Sequence, residues 1–303
     1  MLSGILLLDK PRGLSSNAAL QRVRQLFDGQ KAGHAGSLDP LATGMLPICL
    51  GEATKIAGDI VSGRKRYRFA VDLGRRTASG DAEGPVIETA AVPALTRADV
   101  EAVLAQFLGR QPQVPPMYSA LKRAGEPLYR LARAGLTVER APREIELFEL
   151  ALLGLEGAGV ELEACCSKGT YIRVLAEDIA ARLRTCGHVT ALRRLYVEPF
   201  ENEAMQTLEA LECSRAGGGS PALLAVDRPL QHLPAVRLTH ADAARLRQGQ
   251  AVTAPVSGAP RGSPVHVTGA PVRVRLYDGE GRFFGVGAAD GSGAVRPRRL
   301  LNL

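Results

Sequence analysis

The chain has 303 residues, 46% of them hydrophobic, no tryptophan and a net charge of +7. It is long enough for one large domain and a smaller one, with enough apolar content for a core that needs no metal or disulfide to hold it. Its five cysteines (Cys49, Cys165, Cys166, Cys186, Cys213) are odd in number with no C-x-x-C spacing, no apolar run approaches membrane-spanning length, and the first residues lack a basic leader segment; a cytoplasmic chain without a disulfide framework, zinc site or membrane partner is expected.

In chain order, Gly4 to Leu8 reads as a short buried strand that ends in the turn Asp9-Lys10-Pro11-Arg12-Gly13. Lys10 sits in that turn, either solvated or a site group. Ser15 or Ser16 caps a helix with Leu20, Val23, Leu26 and Phe27 on one stripe. Gly33 to Pro47 then packs glycines, prolines, His34 and Asp39 into a stretch that argues against a helix or a central strand interior. Its shape suits a loop that holds a group. Asp39, between Leu38 and Pro40, is either that group or a local turn cap.

Arg66 to Leu73 alternates, placing Tyr67, Phe69, Val71 and Leu73 on one strand face, with Tyr67 near the rim as a core or a binding residue. A polar turn from Arg75 to Gly84, with Asp81 and Glu83, leads to Val86-Ile87. Thr96 and Asp99 form a capping box for a helix through Phe107. The basic, Pro- and Tyr-bearing stretch 111–143 reads as an insertion that closes on a substrate. Strands return at Glu144–Leu153 and Val160–Ser167, and the helix that follows carries Ile172, Leu175, Ala176, Ile179, Ala180 and Leu183 on its buried stripe. That leaves Tyr171 and Arg173 in the first turn, off the stripe. An arginine there opposes the helix dipole and calls for an anionic partner, whether a structural salt bridge or a site carboxylate.

Leu192-Arg193-Arg194-Leu195 precedes a further strand-like segment, and the low-complexity run 214–221 reads as a surface loop. A domain boundary falls near Leu233-Pro234. Beyond it Thr239 caps a helix that stops at Gly249, and strands at Val272–Tyr277 and Phe283–Val286 alternate with turns, with a long loop from Ala254 to Pro271. Ten arginines against four acidic residues lie between Val236 and Leu303. Further basic clusters run from Lys55 to Arg68 and from Arg110 to Arg143, a distribution suited to a long polyanion such as nucleic acid.

No Walker loop, dinucleotide fingerprint, metal triad or Ser-His-Asp order is present. One loop aspartate without a neighbouring second carboxylate fits a glycosidase poorly; kept ionised by an arginine, it can act as nucleophile or base at a sugar or base carbon. The run from Gly33-His34-Ala35-Gly36-Ser37-Leu38-Asp39-Pro40 through Gly51-Glu52-Ala53-Thr54-Lys55 closely resembles the signature of the TruB family of tRNA pseudouridine-55 synthases. Asp9-Lys10-Pro11, Lys65-Arg66-Tyr67, Lys168 to Arg173 and Leu192 to Leu195 follow in the family's order, and the tail from Val236 resembles a PUA RNA-binding module.

The resemblance implies an α+β pseudouridine synthase fold: a central mixed, largely antiparallel sheet flanked by helices over residues 1–233, then a small β-barrel-like PUA domain over 234–303. It implies a cofactor-free, metal-free isomerase acting on the T-stem-loop of tRNA, as a monomer with no obligatory protein partner. Asp39 would be the catalytic carboxylate and Arg173 its ion-pair partner. Tyr67 would stack on the flipped uracil, Tyr171 and Leu192 would line its pocket, and His34 would wedge into the space it leaves. Lys10 is assigned to the site as a structural or phosphate-contacting residue. The family turn Thr-Asp-Thr-x-Asp is Thr77-Ala78-Ser79-Gly80-Asp81 in this chain, with Asp81 expected to partner His34. Two rivals stay open: the related RNA-guided enzyme type, and an RNA-binding or tRNA-folding protein that keeps the loop as a relic.

Overall fold

The computed structural model describes residues 2–123, 125–219, 221–257 and 270–303. In chain order the first 200 or so residues give strands β1 (Gly4–Lys10), β2 (Ala32–His34), β3 (Thr43–Leu50), β4 (Lys65–Leu73), β5 (Arg75–Thr77), β6 (Val86–Thr89), β7 (Gly109–Gln113), β8 (Lys122–Arg123), β9 (Glu126–Pro127), β10 (Arg143–Glu156), β11 (Gly159–Cys166) and β12 (Gly187–Val197). Helices α1 (Ser16–Leu26), α2 (Ala57–Ser62), α3 (Arg97–Leu104), α4 (Leu128–Arg133), α5 (Ile172–Arg182) and α6 (Leu208–Ala216) are threaded between and after them.

Eight of these strands form one sheet in the order β1-β3-β12-β4-β11-β10-β7, with β2 also paired to β3. Every pairing is antiparallel except β12 with β3, which run parallel over Thr43–Gly44 and Arg193–Arg194. The alternation read from β4 holds: Tyr67, Phe69, Val71 and Leu73 are all buried on one face. Leu6, Leu8, Leu46 and Ile48 continue that face, and the apolar stripes of α1, α3 and α5 cover it. Ser15 caps α1 and Thr96 and Asp99 close the box that starts α3, as their spacing predicts.

The opposite face of β1 and β3 carries Ile5, Leu7, Met45 and Cys49. They pack with Leu301 and with Phe283 and Val286 of a second sheet, built from β13 (Ala235–Arg237), β14 (Val252–Thr253), β15 (Val256–Ser257), β16 (Val272–Tyr277), β17 (Phe283–Ala289) and β18 (Ala294–Leu300) in the order β14-β18-β17-β16-β13-β15. Its two edge strands, β14 and β15, are separated in sequence by only Ala254 and Pro255. The six strands therefore curl into a half-barrel, with α7 (His240–Arg247), capped by Thr239, packed on it. Most of the expected loop from Ala254 to Pro271 lies outside the described residues, as does Ser220 in the expected loop 214–221, whose first three residues end α6. Among the described residues no helix is long and apolar enough to cross a membrane.

Four local expectations are corrected. Thr43 to Leu50 is an interior strand, Pro47 included. In an extended strand a residue's N and O face the same edge, and on Pro47's edge β12 pairs only Thr43 and Gly44 while β2 begins at Ile48. Pro47 accepts from Ala35 N at 2.8 Å and its missing donor is not called upon. Leu192 to Leu195 lies inside β12 rather than ahead of a strand. Lys10 is the last residue of β1, fully buried, not a solvated turn residue. The start of the 111–143 insertion is the edge strand β7, paired with β10.

Candidate active site

The Gly33–Pro47 stretch crosses from β2 to β3 by a tight loop, and two buried contacts fix its middle. Ser16 Oγ, at the start of α1, accepts from Leu38 N at 2.7 Å and donates to Leu38 O at 2.9 Å, while the Leu38 and Leu41 side chains enter the core. Asp39, flanked by these anchors, faces a cleft of about 770 Å³ with its side chain 38% exposed. Arg173, from the first turn of α5, meets it with a fork: Nε to Oδ2 at 2.9 Å and Nη2 to Oδ1 at 3.1 Å.

Arg173 itself is buried, not exposed on the rim of α5. Its Nη1 donates to Ser79 O at 2.6 Å and its Nη2 to Tyr118 O at 2.7 Å, so the β5–β6 turn and the 111–143 insertion cover it. Asp81 stands 3.7 Å from Arg173 Nε. The anionic partner that the helix dipole argument required is therefore a pair of aspartates.

Asp81 does not meet His34. Its Oδ1 accepts from Ser79 Oγ at 2.6 Å and from Glu83 N at 3.1 Å, which ties the carboxylate into its own turn. His34 lies on the cleft wall, and its Nδ1 is buried without a hydrogen-bond partner. Burial, and then the charge of Arg194, lowers the His34 pKa, so the ring is neutral at pH 7 and suited to stacking.

Tyr67 and Leu192 lie under the loop rather than on the cleft wall. Tyr67 is buried on β4 directly across from Arg194 of β12, and Leu192 pairs with Phe69 beside them. Leu192 also borders a separate small hollow with Leu41, Thr43 and Arg193. Burial raises the Tyr67 phenol above its usual value, against the pull of Arg194, so it is protonated at neutral pH. Tyr171 caps α5 through its backbone: its N donates to Gln113 Oε1 at 2.8 Å and its O accepts from Gln113 Nε2 at 3.1 Å. Lys10 donates to the carbonyls of Pro11, Leu14 and Pro40 at 2.8, 2.7 and 3.4 Å, and burial lowers it to about 8. It acts on the loop through the backbone and touches no cleft surface.

Burial raises the Asp39 carboxyl above its ordinary value; Arg173 opposes that shift, Asp81 adds to it, and Lys10 opposes it. The ion pair with a permanently charged guanidinium favours the carboxylate form of Asp39 against that burial. Among the described residues no cluster of His, Cys, Asp or Glu has the geometry of a metal site.

Glu83, read from the sequence only as part of a polar turn, and Tyr118, Tyr129 and Arg133, read as part of the substrate-closing insertion without individual roles, complete the cleft wall. The sequence also left open which way Arg193 and Arg194 point, although adjacent residues in a strand face opposite sides of the sheet. Arg193 points out and forks onto Asp9 at 2.9 and 2.7 Å; Arg194 points in.

Residues 24–172 match the family model described as TruB family pseudouridylate synthase (N terminal domain). Residues 173–226 match tRNA pseudouridylate synthase B C-terminal domain, and residues 234–301 match Pseudouridine synthase II TruB, C-terminal. The chain is 50% identical to tRNA pseudouridine synthase B of Chromohalobacter salexigens, over 99% of this chain and 95% of that one. It is 49% identical to the protein of that name from Stutzerimonas stutzeri, over 99% and 96%. Among solved structures, a Cbf5-Nop10-Gar1 complex aligns with a TM-score of 0.71 at 23% identity, over 98% of this chain and 84% of that one. An H/ACA RNP bound to a substrate RNA containing 2′-deoxyuridine aligns with a TM-score of 0.70 at 22% identity, over 99% and 85%. At these identities the likeness is one of fold.

Proposed function

The chain belongs to the TruB family of pseudouridine synthases, isomerases that turn a tRNA uridine into pseudouridine, and from that membership we propose that its substrate is the T-loop uridine at position 55 and that Asp39 carries the reaction. The observation that carries this reading is the forked Asp39–Arg173 pair on the wall of an open cleft. In the isomerisation the N1–C1′ bond breaks, the uracil turns, C1′ bonds to C5, the C5 proton leaves and N1 takes one up. Product and substrate are isomers, so the balance calls for no oxidant, reductant or co-reactant.

C1′ of a stacked nucleotide is out of reach, so the base must leave the stack before a carboxylate can act on it. His34, neutral and unpartnered at the cleft wall, is placed to fill the gap left behind. Tyr67, under the loop, serves as the ring against which the uracil lies once the loop accommodates it, with Tyr171 and Leu192 as its apolar border. Arg173 orients Asp39 and holds it ionised; Asp81 orients Arg173. The 111–143 insertion acts as the lid, since Tyr118 reaches Arg173 and Tyr129 and Arg133 line the cleft. We read residues 1–233 as the catalytic unit and 234–303 as a PUA module that tracks the RNA, with the protein working alone as a monomer.

The test is tritium release from a tRNA transcript labelled at C5 of uridine. The wild type is expected to release tritium, a transcript with cytidine at position 55 to release none, and Asp39→Asn to fall by at least about 10⁴-fold, the scale of losing an essential catalytic group. Equal release by wild type and Asp39→Asn would remove the carboxylate from its role. Binding without release by the wild type would favour a tRNA-folding protein.

A further inference from the structure

Arg194 is 1% exposed, among the largest of the fully buried side chains, and among the described residues no carboxylate lies within ion-pair distance of it. A buried guanidinium without an anion is costly, and a chain keeps one where its hydrogen bonds do something that an apolar residue cannot. All of its bonds go to the floor of the Asp39 site. Nε donates to Met45 O at 2.7 Å, Nη2 to Gly36 O at 3.0 Å, and Nη1 reaches Ser37 O at 3.4 Å and Tyr67 Oη at 3.5 Å.

Those contacts bracket Asp39. Gly36 and Ser37 precede it and Met45 follows it, so one rigid planar group spans both limbs of the loop and also touches the phenol beneath it. The backbone closes in to allow this: at Gly44 (φ +97°) a Cβ would stand 2.2 Å from Arg194 O, so the loop and the β12 backbone are in direct contact there. Resting on the function proposed above, we propose that Arg194 is a positioning residue for the isomerisation, setting the Asp39 carboxylate and the Tyr67 ring in one fixed relation. A lysine there keeps the charge, but a single ammonium cannot span Gly36, Ser37 and Met45 together. A methionine keeps much of the length and removes both charge and donors.

The experiment measures single-turnover pseudouridine formation, equilibrium tRNA binding and thermal unfolding for wild type, Arg194→Lys and Arg194→Met. Misplacing a reacting group by an ångström costs on the order of a hundredfold in rate, so Arg194→Met is expected to lose about that much, and Arg194→Lys about tenfold, with tRNA Kd within about threefold of wild type. The split between rate and binding, and the partial rescue by lysine, are what a merely structural role would not produce. If Arg194→Met does not fold, Arg194→Lys decides. A folded Arg194→Lys enzyme with the wild-type rate overturns the proposal, as does parallel loss of rate and binding, or failure of both variants to fold, which would make Arg194 a residue of the fold alone. A wild type that forms no pseudouridine would instead sink the functional reading on which the inference rests.

Discussion

Asp39 works between opposing influences. Burial and Asp81 push its carboxyl up, and Arg173 and Lys10 push it down, leaving it above an ordinary aspartate. If the ionised form is the active one, kcat/KM falls as the pH drops through that raised value, so the acid limb lies above the usual aspartate range. Asp81→Asn removes one neighbouring negative charge and leaves Asp39 as the one carboxylate paired with Arg173 among the described residues. Both changes favour the ionised carboxylate, so the limb is expected to move to lower pH while the plateau rate falls, because Arg173 loses an orienting partner. A pH–rate profile checks this, and a limb that moves upward or stays in place contradicts the assigned coupling.

At the scale of elements, the site is the place where β3 leaves β12. The two strands run parallel for only Thr43–Gly44 against Arg193–Arg194, and the loop carrying Asp39 hangs from that short contact. Gly44 is required there twice over: its φ of +97° belongs to the left-handed side of backbone space, and any Cβ would collide with the Arg194 carbonyl. Gly44→Ala is expected to cost about 2–4 kcal/mol, from the backbone strain together with the steric clash. It should also slow turnover, since relief of the clash moves the loop off β12. Chemical denaturation and single-turnover rates measure the two effects. An alanine variant of native stability would show that the close approach is dispensable.

Over the whole molecule, the second sheet is not merely tethered to the first. Phe283, Val286 and Leu301 share one apolar cluster with Ile5, Leu7 and Met45, and Lys55 donates to Leu300 O at 3.1 Å while Tyr277 Oη donates to Asp227 at 2.5 Å. Met45 belongs to that cluster by its side chain and to the Arg194 clamp by its carbonyl. Phe283→Ala is expected to destabilise the chain by about 3–5 kcal/mol, the cost of emptying a large apolar site. Because the cluster spans both sheets, unfolding followed by circular dichroism is expected to shift as one transition. Two resolved transitions, with the first sheet unaffected, would mean that the halves fold independently.

The sequence by itself determined what local chemistry and periodicity control: the alternating strand β4, the capped starts of α1, α3 and α7, the stripe of α5, and the need of Arg173 for an anion. Its motif spacing also sufficed to name the family, because a contiguous loop with ordered satellites is matched as a whole. Only the tertiary structure decided which anions Arg173 takes, that Asp81 turns to Arg173 and its own turn rather than to His34, that Pro47 lies inside a sheet, and that Lys10 and Arg194 point inward to hold loop carbonyls. The pairs that build the site join residues far apart in the chain, Tyr67 with Arg194 across two adjacent strands and Asp39 of the loop with Arg173 of α5. A polar side chain's partner is set by which strand lies beside it, and strand order is a property of the folded chain, not of any window of sequence.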